Sequence, residues 1–257
     1  MVAAPREQPR SKAFMPRVPQ AEPEETCPRC HKRLALCVCA SIEPAAHKLG
    51  LLILQHPQEQ DKDLGTARLL ALHLREAVFK IGLSWPSLAK ALGRPVDPNR
   101  WAILYLGSAK PDTFPEGREV VVLDKNGAAL PNQDRELAEI NGIVVLDGSW
   151  SQAKTLWWRN AWMLRCKRVA LNPKRASLYG KLRREPRAEA LSTLESVGLL
   201  MSRLERREDI ETSMIKSFAR LLHAYHGVLR AEKAAAPMKP GRRRQTAGRP
   251  REKPTPP

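Results

Sequence analysis

The sequence predicts an α/β protein. A mostly parallel sheet carries helices on both faces, and a small cysteine-rich module precedes it. Three observations lead there. Five short apolar runs, Leu49–Gln55, Trp101–Leu106, Glu119–Leu123, Gly142–Leu146 and Lys167–Leu171, alternate with longer amphipathic stretches, the order expected of strand–helix units. The first run is continuously apolar, as a strand buried on both faces is. A chain of 257 residues with 42% hydrophobic content can also build a sizeable core without disulfides.

The elements follow in chain order. Residues 1–26 hold four basic residues, four acidic residues and five prolines and read as a disordered extension. Residues 27–46 form the cysteine module, and residues 47–236 the α/β domain. Leu49–Gln55 is the first strand and ends at His56-Pro57. Thr66 can cap a helix running to about Phe79, with Leu69, Leu70, Leu72, Leu74 and Val78 inward. Ser84 starts a short helix that closes at Gly93. Trp101–Leu106 and Glu119–Leu123 are strands, and Asn132–Ile140 is a helix. Gly142–Leu146 is a strand that runs into Asp147-Gly148-Ser149-Trp150. Helix Ser151–Asn160, strand Lys167–Leu171 and helix Ala188–Leu204 follow. Asp209 can cap a last helix to Ala231, with Met214, Phe218, Leu221, Leu222 and Tyr225 on one stripe. Residues 237–257, with seven basic residues, one acidic residue and six prolines, read as a basic disordered tail that attracts RNA or merely solubilises.

No run approaches 18 apolar residues, so no membrane-spanning helix is expected. The first residues, MVAAPREQPRSK, lack the apolar segment of a secretory signal, and a cytoplasmic setting is the expectation. Neither G-x-G-x-x-G after a strand nor G-x-x-x-x-G-K-[ST] occurs, which argues against a dinucleotide fold and a P-loop NTPase. The net charge of +17 points to a polyanion, nucleic acid before membrane. Residues 151–187 carry eleven basic residues and only Glu185 as an acid. One-sign clustering of this kind looks like a phosphate track. Lys154, Arg159, Lys174, Arg175 and Arg184 are its candidate RNA contacts. Trp157 and Trp158 sit among them, and adjacent helical positions diverge by about 100°, so at most one of the two faces RNA.

Cys27-Pro-Arg-Cys30 and Cys37-Val-Cys39 place four cysteines within 13 residues. Two close pairs fit a tetrahedral thiolate site for zinc, closed and structural because all four ligands come from protein. His31 could replace one ligand but adjoins Cys30. The alternative is free or redox thiols. Cys166 stands apart and reads as packing.

In parallel α/β sheets, ligands lie beyond the carboxyl ends of strands. Two such turns carry chemistry here, His56-Pro57-Gln58-Glu59 and Asp147-Gly148-Ser149-Trp150. The second resembles the D-x-[TS]-W signature of DTW-domain proteins. Cys27-x2-Cys30-x6-Cys37-x-Cys39 is similar to that family's cysteine cluster. Gln55-His56-Pro57-x-Glu59 with Thr66-x-Arg68-Leu69 resembles a second block, and Arg183-x-Glu185-Pro186 with Leu191-Ser192-Thr193-Leu194-Glu195 a third. The four blocks occur in order from about 27 to 225. Ser149 stands where the common form has Thr, and the hydroxyl is kept.

The resemblance implies a tRNA-uridine aminocarboxypropyltransferase. Such an enzyme moves the 3-amino-3-carboxypropyl group of S-adenosylmethionine to N3 of a uridine and leaves methylthioadenosine. It further implies kinship with SPOUT methyltransferases, whose sheet is knotted. On this reading Asp147 takes the N3 proton or orients the base; otherwise it caps the following helix. Trp150 stacks on a ring or anchors the turn. Gly148, Ser149, Ser192 and Thr193 hold the donor or cap helices, and Glu195 meets its ammonium or ribose. Arg183 pairs with its carboxylate through a bidentate fork. His56, before a proline at a strand end, reads as structural. A SAM-dependent methyltransferase and a non-catalytic zinc-module RNA-binding protein are the rival readings. No protein partner is evident.

Overall fold

The computed structural model describes residues 25–60, 62–104, 114–182 and 191–235. Among these residues six strands form one sheet: β1 (Gly50–Gln55), β2 (Val78–Ile81), β3 (Trp101–Leu104), β4 (Val120–Leu123), β5 (Gly142–Asp147) and β6 (Lys167–Leu171). Their spatial order is β2-β1-β5-β3-β6-β4. In that order the first five are mutually parallel, and β4 closes the edge antiparallel to β6. The helices are α1 (Ala67–His73), α2 (Leu88–Leu92), α3 (Gln133–Ala138), α4 (Trp150–Arg159), α5 (Thr193–Glu205) and α6 (Glu208–Ala235). No helix among the described residues is long and apolar enough to cross a membrane.

The unbroken apolar runs are explained by the two cores. Leu51 and Ile53 of β1 and Ile143 and Val145 of β5 face a core shared with α1, α5 and α6. Leu52, Leu54, Val144 and Leu146 face a second core with α2, α4 and Trp162. Side chains alternate strictly along a strand, so covering both faces demands an apolar residue at every position. At the opposite end from the candidate site, Gly50 and Gly142 are register partners, and Trp101 pairs with Gly142. A Cβ at Gly142 would meet the Trp101 indole at 2.6 Å, and one at Gly50 would meet it at 2.7 Å. The two glycines make the space that this indole fills.

Three sequence expectations are corrected. The helix from Thr66 stops at His73, and Val78–Ile81 is a strand. Glu76, at φ 59°, marks the break. Val78, Phe79 and Ile81 then suit a half-buried edge strand, a position that favours β-branched and aromatic residues. Ser84 does not begin α2; Ser87 does, its side chain accepting from the Lys90 N–H, while Gly93 ends it in the left-handed region as expected. Asp209 lies inside α6 and is paired with Arg207 rather than capping the helix. Tyr105, Leu106 and Ala188–Ala190 of the expected elements fall outside the described residues, as do both expected disordered ends apart from Glu25 and Thr26.

His73 closes α1 in the core, its Nε2 buried with no partner and its Nδ1 3.4 Å from Ser213 Oγ. Burial pulls its pKa down to about 4. The unfolded chain therefore binds a proton below about pH 6.5 that the folded chain refuses. The stability contributed by the neutral ring is complete above about pH 6.5 and is lost as pH falls toward about 4. Urea midpoints at pH 7 and pH 5 should differ in the wild type, and His73→Met should shrink that difference. An unchanged pH dependence would remove His73 as its cause.

Candidate active site

The carboxyl ends of β1 and β5 lie side by side, with Gln55 and Asp147 as register partners. Asp147 is 5% exposed. Its Oδ2 accepts from Gln55 Nε2 at 2.9 Å, and its Oδ1 accepts from Thr193 Oγ1 at 2.7 Å. A carboxylate only accepts, so the amide must turn its NH2 toward Asp147. The Gln55 Oε1 is left buried and without a partner. The backbone continues the link, since the His56 N–H donates to the Asp147 carbonyl.

Gly148 carries the chain away from β5 at φ 155°, and a Cβ there would lie 2.9 Å from Gln152 Cβ. Ser149 then caps α4. Its Oγ accepts from the Gln152 N–H, and its own N–H donates to Gln152 Oε1. This is a capping box, one of the two readings the sequence left open. Trp150 is half-buried in the first turn of α4.

A second capping box opens α5. Ser192 Oγ accepts from the Glu195 N–H, and the Ser192 N–H donates to Glu195 Oε2. Glu195 is 0% exposed. It also accepts from Ser177 Oγ at 2.7 Å and from the Leu178 N–H at 2.9 Å. The side chain assigned by sequence to the donor thus ties the loop after β6 to α5. Tyr179 of that loop donates from its hydroxyl to the Leu64 carbonyl and stacks edge-on against Phe218. Thr66 stands at the start of α1, but its hydroxyl accepts from the Leu194 N–H of α5. His56 Nδ1 accepts from the Gln58 N–H in the turn after β1, the structural role expected of it.

The four sulfurs of Cys27, Cys30, Cys37 and Cys39 lie within 4.8 Å of one another. Cys27 and Cys39 are 3.9 Å apart, Cys30 and Cys37 4.0 Å. Four sulfurs bound at about 2.3 Å to one zinc ion would stand about 3.8 Å apart. The set can hold a metal ion, and His31 is not part of it. The Cys30 N–H, with help from that of Arg29, lowers the Cys27 thiol to about 6, while burial raises Cys30 and Cys39. The cluster is fused to the main core, because Cys27, Cys30, Leu36 and Cys39 belong to the same buried group as β1 and α5.

One residue of this module reaches the site unforeseen. Lys32 is 5% exposed, and its Nζ donates to the Asp63 and Lys62 carbonyls at 2.7 and 3.2 Å. Burial pulls its pKa down to about 8, against the attraction of Cys30, Asp63 and Asp147. It lines a cleft with Cys30, His31, Gln55, Glu59, Lys62, Gly65 and Arg68. Gln55 was legible as the last residue of a buried strand, where a polar side chain has to find a use. Lys32 carried no local signal.

Of the candidate RNA contacts, Lys154 and Arg159 are exposed on α4. Trp158 is 80% exposed, while Trp157 is half-buried with the Arg168 guanidinium 5.4 Å over its ring. Only one of the two indoles faces outward. Lys174 is exposed, and Arg175 pairs with Glu211 at 2.9 Å. Arg183 and Arg184 lie outside the described residues.

The DTW domain profile matches residues 24–226. The chain belongs to the DTW-domain family. Curated relatives of this DTW protein are named tRNA-uridine aminocarboxypropyltransferase 2. The protein from Macaca fascicularis is 27% identical over 209 residues, covering 77% of this chain and 63% of its own. That from Mus musculus is 28% identical over 204 residues with the same coverage, and that from Drosophila melanogaster 26% identical over 196, covering 74% and 70%. The chain thus spans a little under two thirds of the length of the two mammalian relatives. No solved structure matches it significantly.

Proposed function

We propose that this DTW protein is a tRNA-uridine aminocarboxypropyltransferase that uses S-adenosylmethionine as donor and yields 3-(3-amino-3-carboxypropyl)uridine. The observation that carries the reading is the position of Asp147. It is a nearly buried carboxylate at a strand end, gripped from both sides by Gln55 and Thr193, within the D-x-S-W turn of a DTW domain whose relatives bear that name.

In the proposed reaction, uridine N3 attacks the carbon of the aminocarboxypropyl group attached to the sulfonium. The N3–carbon bond forms, the carbon–sulfur bond breaks, and its electron pair stays on sulfur as neutral methylthioadenosine. The N3 proton passes to Asp147 or leaves to water as Asp147 orients the base. The site's remaining task is geometry, since the carbon held in line with N3 is the one transferred. Gly148 and the capped turn at Ser149 bring backbone close to the ligands, and Thr193 holds the base-bearing carboxylate. Trp150 offers a ring at the same turn. Glu195 and Ser192 act through the loop they brace. Zinc in the four-cysteine site keeps the module folded, and the knotted SPOUT topology extends the proposal to the chain path.

Two labelled batches of S-adenosylmethionine and unmodified tRNA test the function. Carboxyl label in tRNA without methyl label supports it. Methyl label alone would make the protein a methyltransferase, and tight tRNA binding with neither label a binding protein.

The tRNA face is proposed to run along α4. Lys154 and Trp158 are one turn apart on its exposed side, next to Arg159. Stacking of a base on an aromatic ring contributes about 1–3 kcal/mol, so Trp158→Ala should weaken tRNA binding by about tenfold. Its melting temperature should not change, because the ring packs against little. Filter binding and thermal melting check both halves. Undiminished tRNA affinity would move the interface elsewhere.

A further inference from the structure

We infer that the cleft between the cysteine module and the end of β1 receives the α-amino-acid end of the donor, with Lys32 and Arg68 facing its carboxylate and Glu59 and Gln55 its ammonium. The inference rests on the donor assignment above and adds a place for the charged half of that molecule.

An α-amino-acid group is a zwitterion. Its recognition needs cationic donors and anionic or neutral acceptors a few ångströms apart, in a space too small for free rotation. The cleft is small, about 20 Å³, and half-open to solvent, so only the charged end of a ligand would enter it, and its walls carry both kinds of group. Lys32 and Arg68 supply cations from two different parts of the chain, with Lys62 at the margin. Glu59 is the acid among the lining residues, and it is buried. The orphaned Gln55 Oε1 adds an acceptor with no protein donor. A buried carbonyl left unpaired is costly, and an ammonium is a donor that would complete it.

The cleft is also placed for chemistry. Gln55 belongs to its wall and at the same time holds Asp147. A group anchored there has its other end within reach of the proposed base. Lys32 and Arg68 are both restrained. Lys32 is fixed by two backbone carbonyls, and the Arg68 guanidinium lies 5.0 Å over the Phe79 ring. Arg68 comes from α1 and Lys32 from the metal-binding module, so the subsite requires the two parts to be docked.

The test compares two nucleosides on the full, metal-loaded chain by calorimetry. S-Adenosylhomocysteine retains the amino-acid end, and methylthioadenosine lacks it. The wild type should prefer the first by at least about tenfold. Glu59→Gln and Arg68→Met should each weaken S-adenosylhomocysteine by about tenfold or more and shift methylthioadenosine by less than about twofold. Retained methylthioadenosine binding also shows that each variant is folded. Equal losses for both nucleosides, no loss for either, or a preference abolished by Arg183→Met but untouched by Glu59→Gln and Arg68→Met would overturn the subsite. Failure of the wild type to bind either nucleoside would instead overturn the donor assignment.

Discussion

Asp147→Asn should lower aminocarboxypropyl transfer by about 10²- to 10⁴-fold, the usual contribution of a positioned general base, with tRNA affinity unchanged. Asparagine keeps the shape and an acceptor for Thr193 Oγ1. Its NH2 group would face Gln55, whose amide can turn over and accept through Oε1. The fold therefore has a low-cost response to the substitution, whereas on the proposed mechanism the N3 proton loses its acceptor. Single-turnover transfer of carboxyl label, with tRNA binding measured in parallel, separates the two effects. Full turnover by the variant would sink the base role and leave Asp147 a turn-forming residue. Thr193→Val should give a smaller loss, because it removes one of the two groups that aim the carboxylate and leaves the carboxylate itself.

Metal removal should have the largest effect on stability. The purified chain should contain one zinc ion, and a strong chelator should lower its melting temperature by about 10 °C or more or unfold it outright. The sulfurs sit in the main core rather than on an appendage. Structural zinc contributes about 10–16 kcal/mol in small peptide modules, and whole domains retain only about 5–15 kcal/mol of net stability. Without the ion, burial leaves Cys30 and Cys39 as neutral thiols packed against one another. Cys30→Ser should reproduce the loss. A melting transition unmoved by chelation would mean that the four cysteines do not bind a structural metal.

The sheet was legible where physics forces the residue choice. β1 and β5 must be apolar at every position before their last because both faces are covered, and that pattern is visible without any structure. The apolar stripe of α6 was visible because one side of that helix is covered by the core. β2 was not, because an edge strand is buried by halves and Val78-Phe79 also continues the spacing of the helix before it. Of the proposed site, the D-x-S-W turn, the cysteines and Thr193 stand in motif blocks of the sequence. Their companions depend on distance in space. Glu195 was read as meeting the donor, and the sequence cannot show that Ser177 and Leu178 come to meet it. Lys32 looked like one basic residue among many. Its burial arises only when the module docks against residues 62–63.

The pairing of Gln55 with Asp147 gives the sheet a function of measurement. Both residues are level because every earlier pair is level, from Gly50 with Gly142 onward. One residue inserted into or deleted from either strand would turn its final side chain to the opposite face and part the amide from the carboxylate. The hydrophobic residues of two strands, pointing alternately to the two faces, thus act as a ruler for the Gln55–Asp147 pair. The reach of that ruler is set at the far end, where Trp101 fills the gap left by two glycines. Enlarging either glycine there would displace the indole and should show up at the other end of the strands as a misaimed carboxylate.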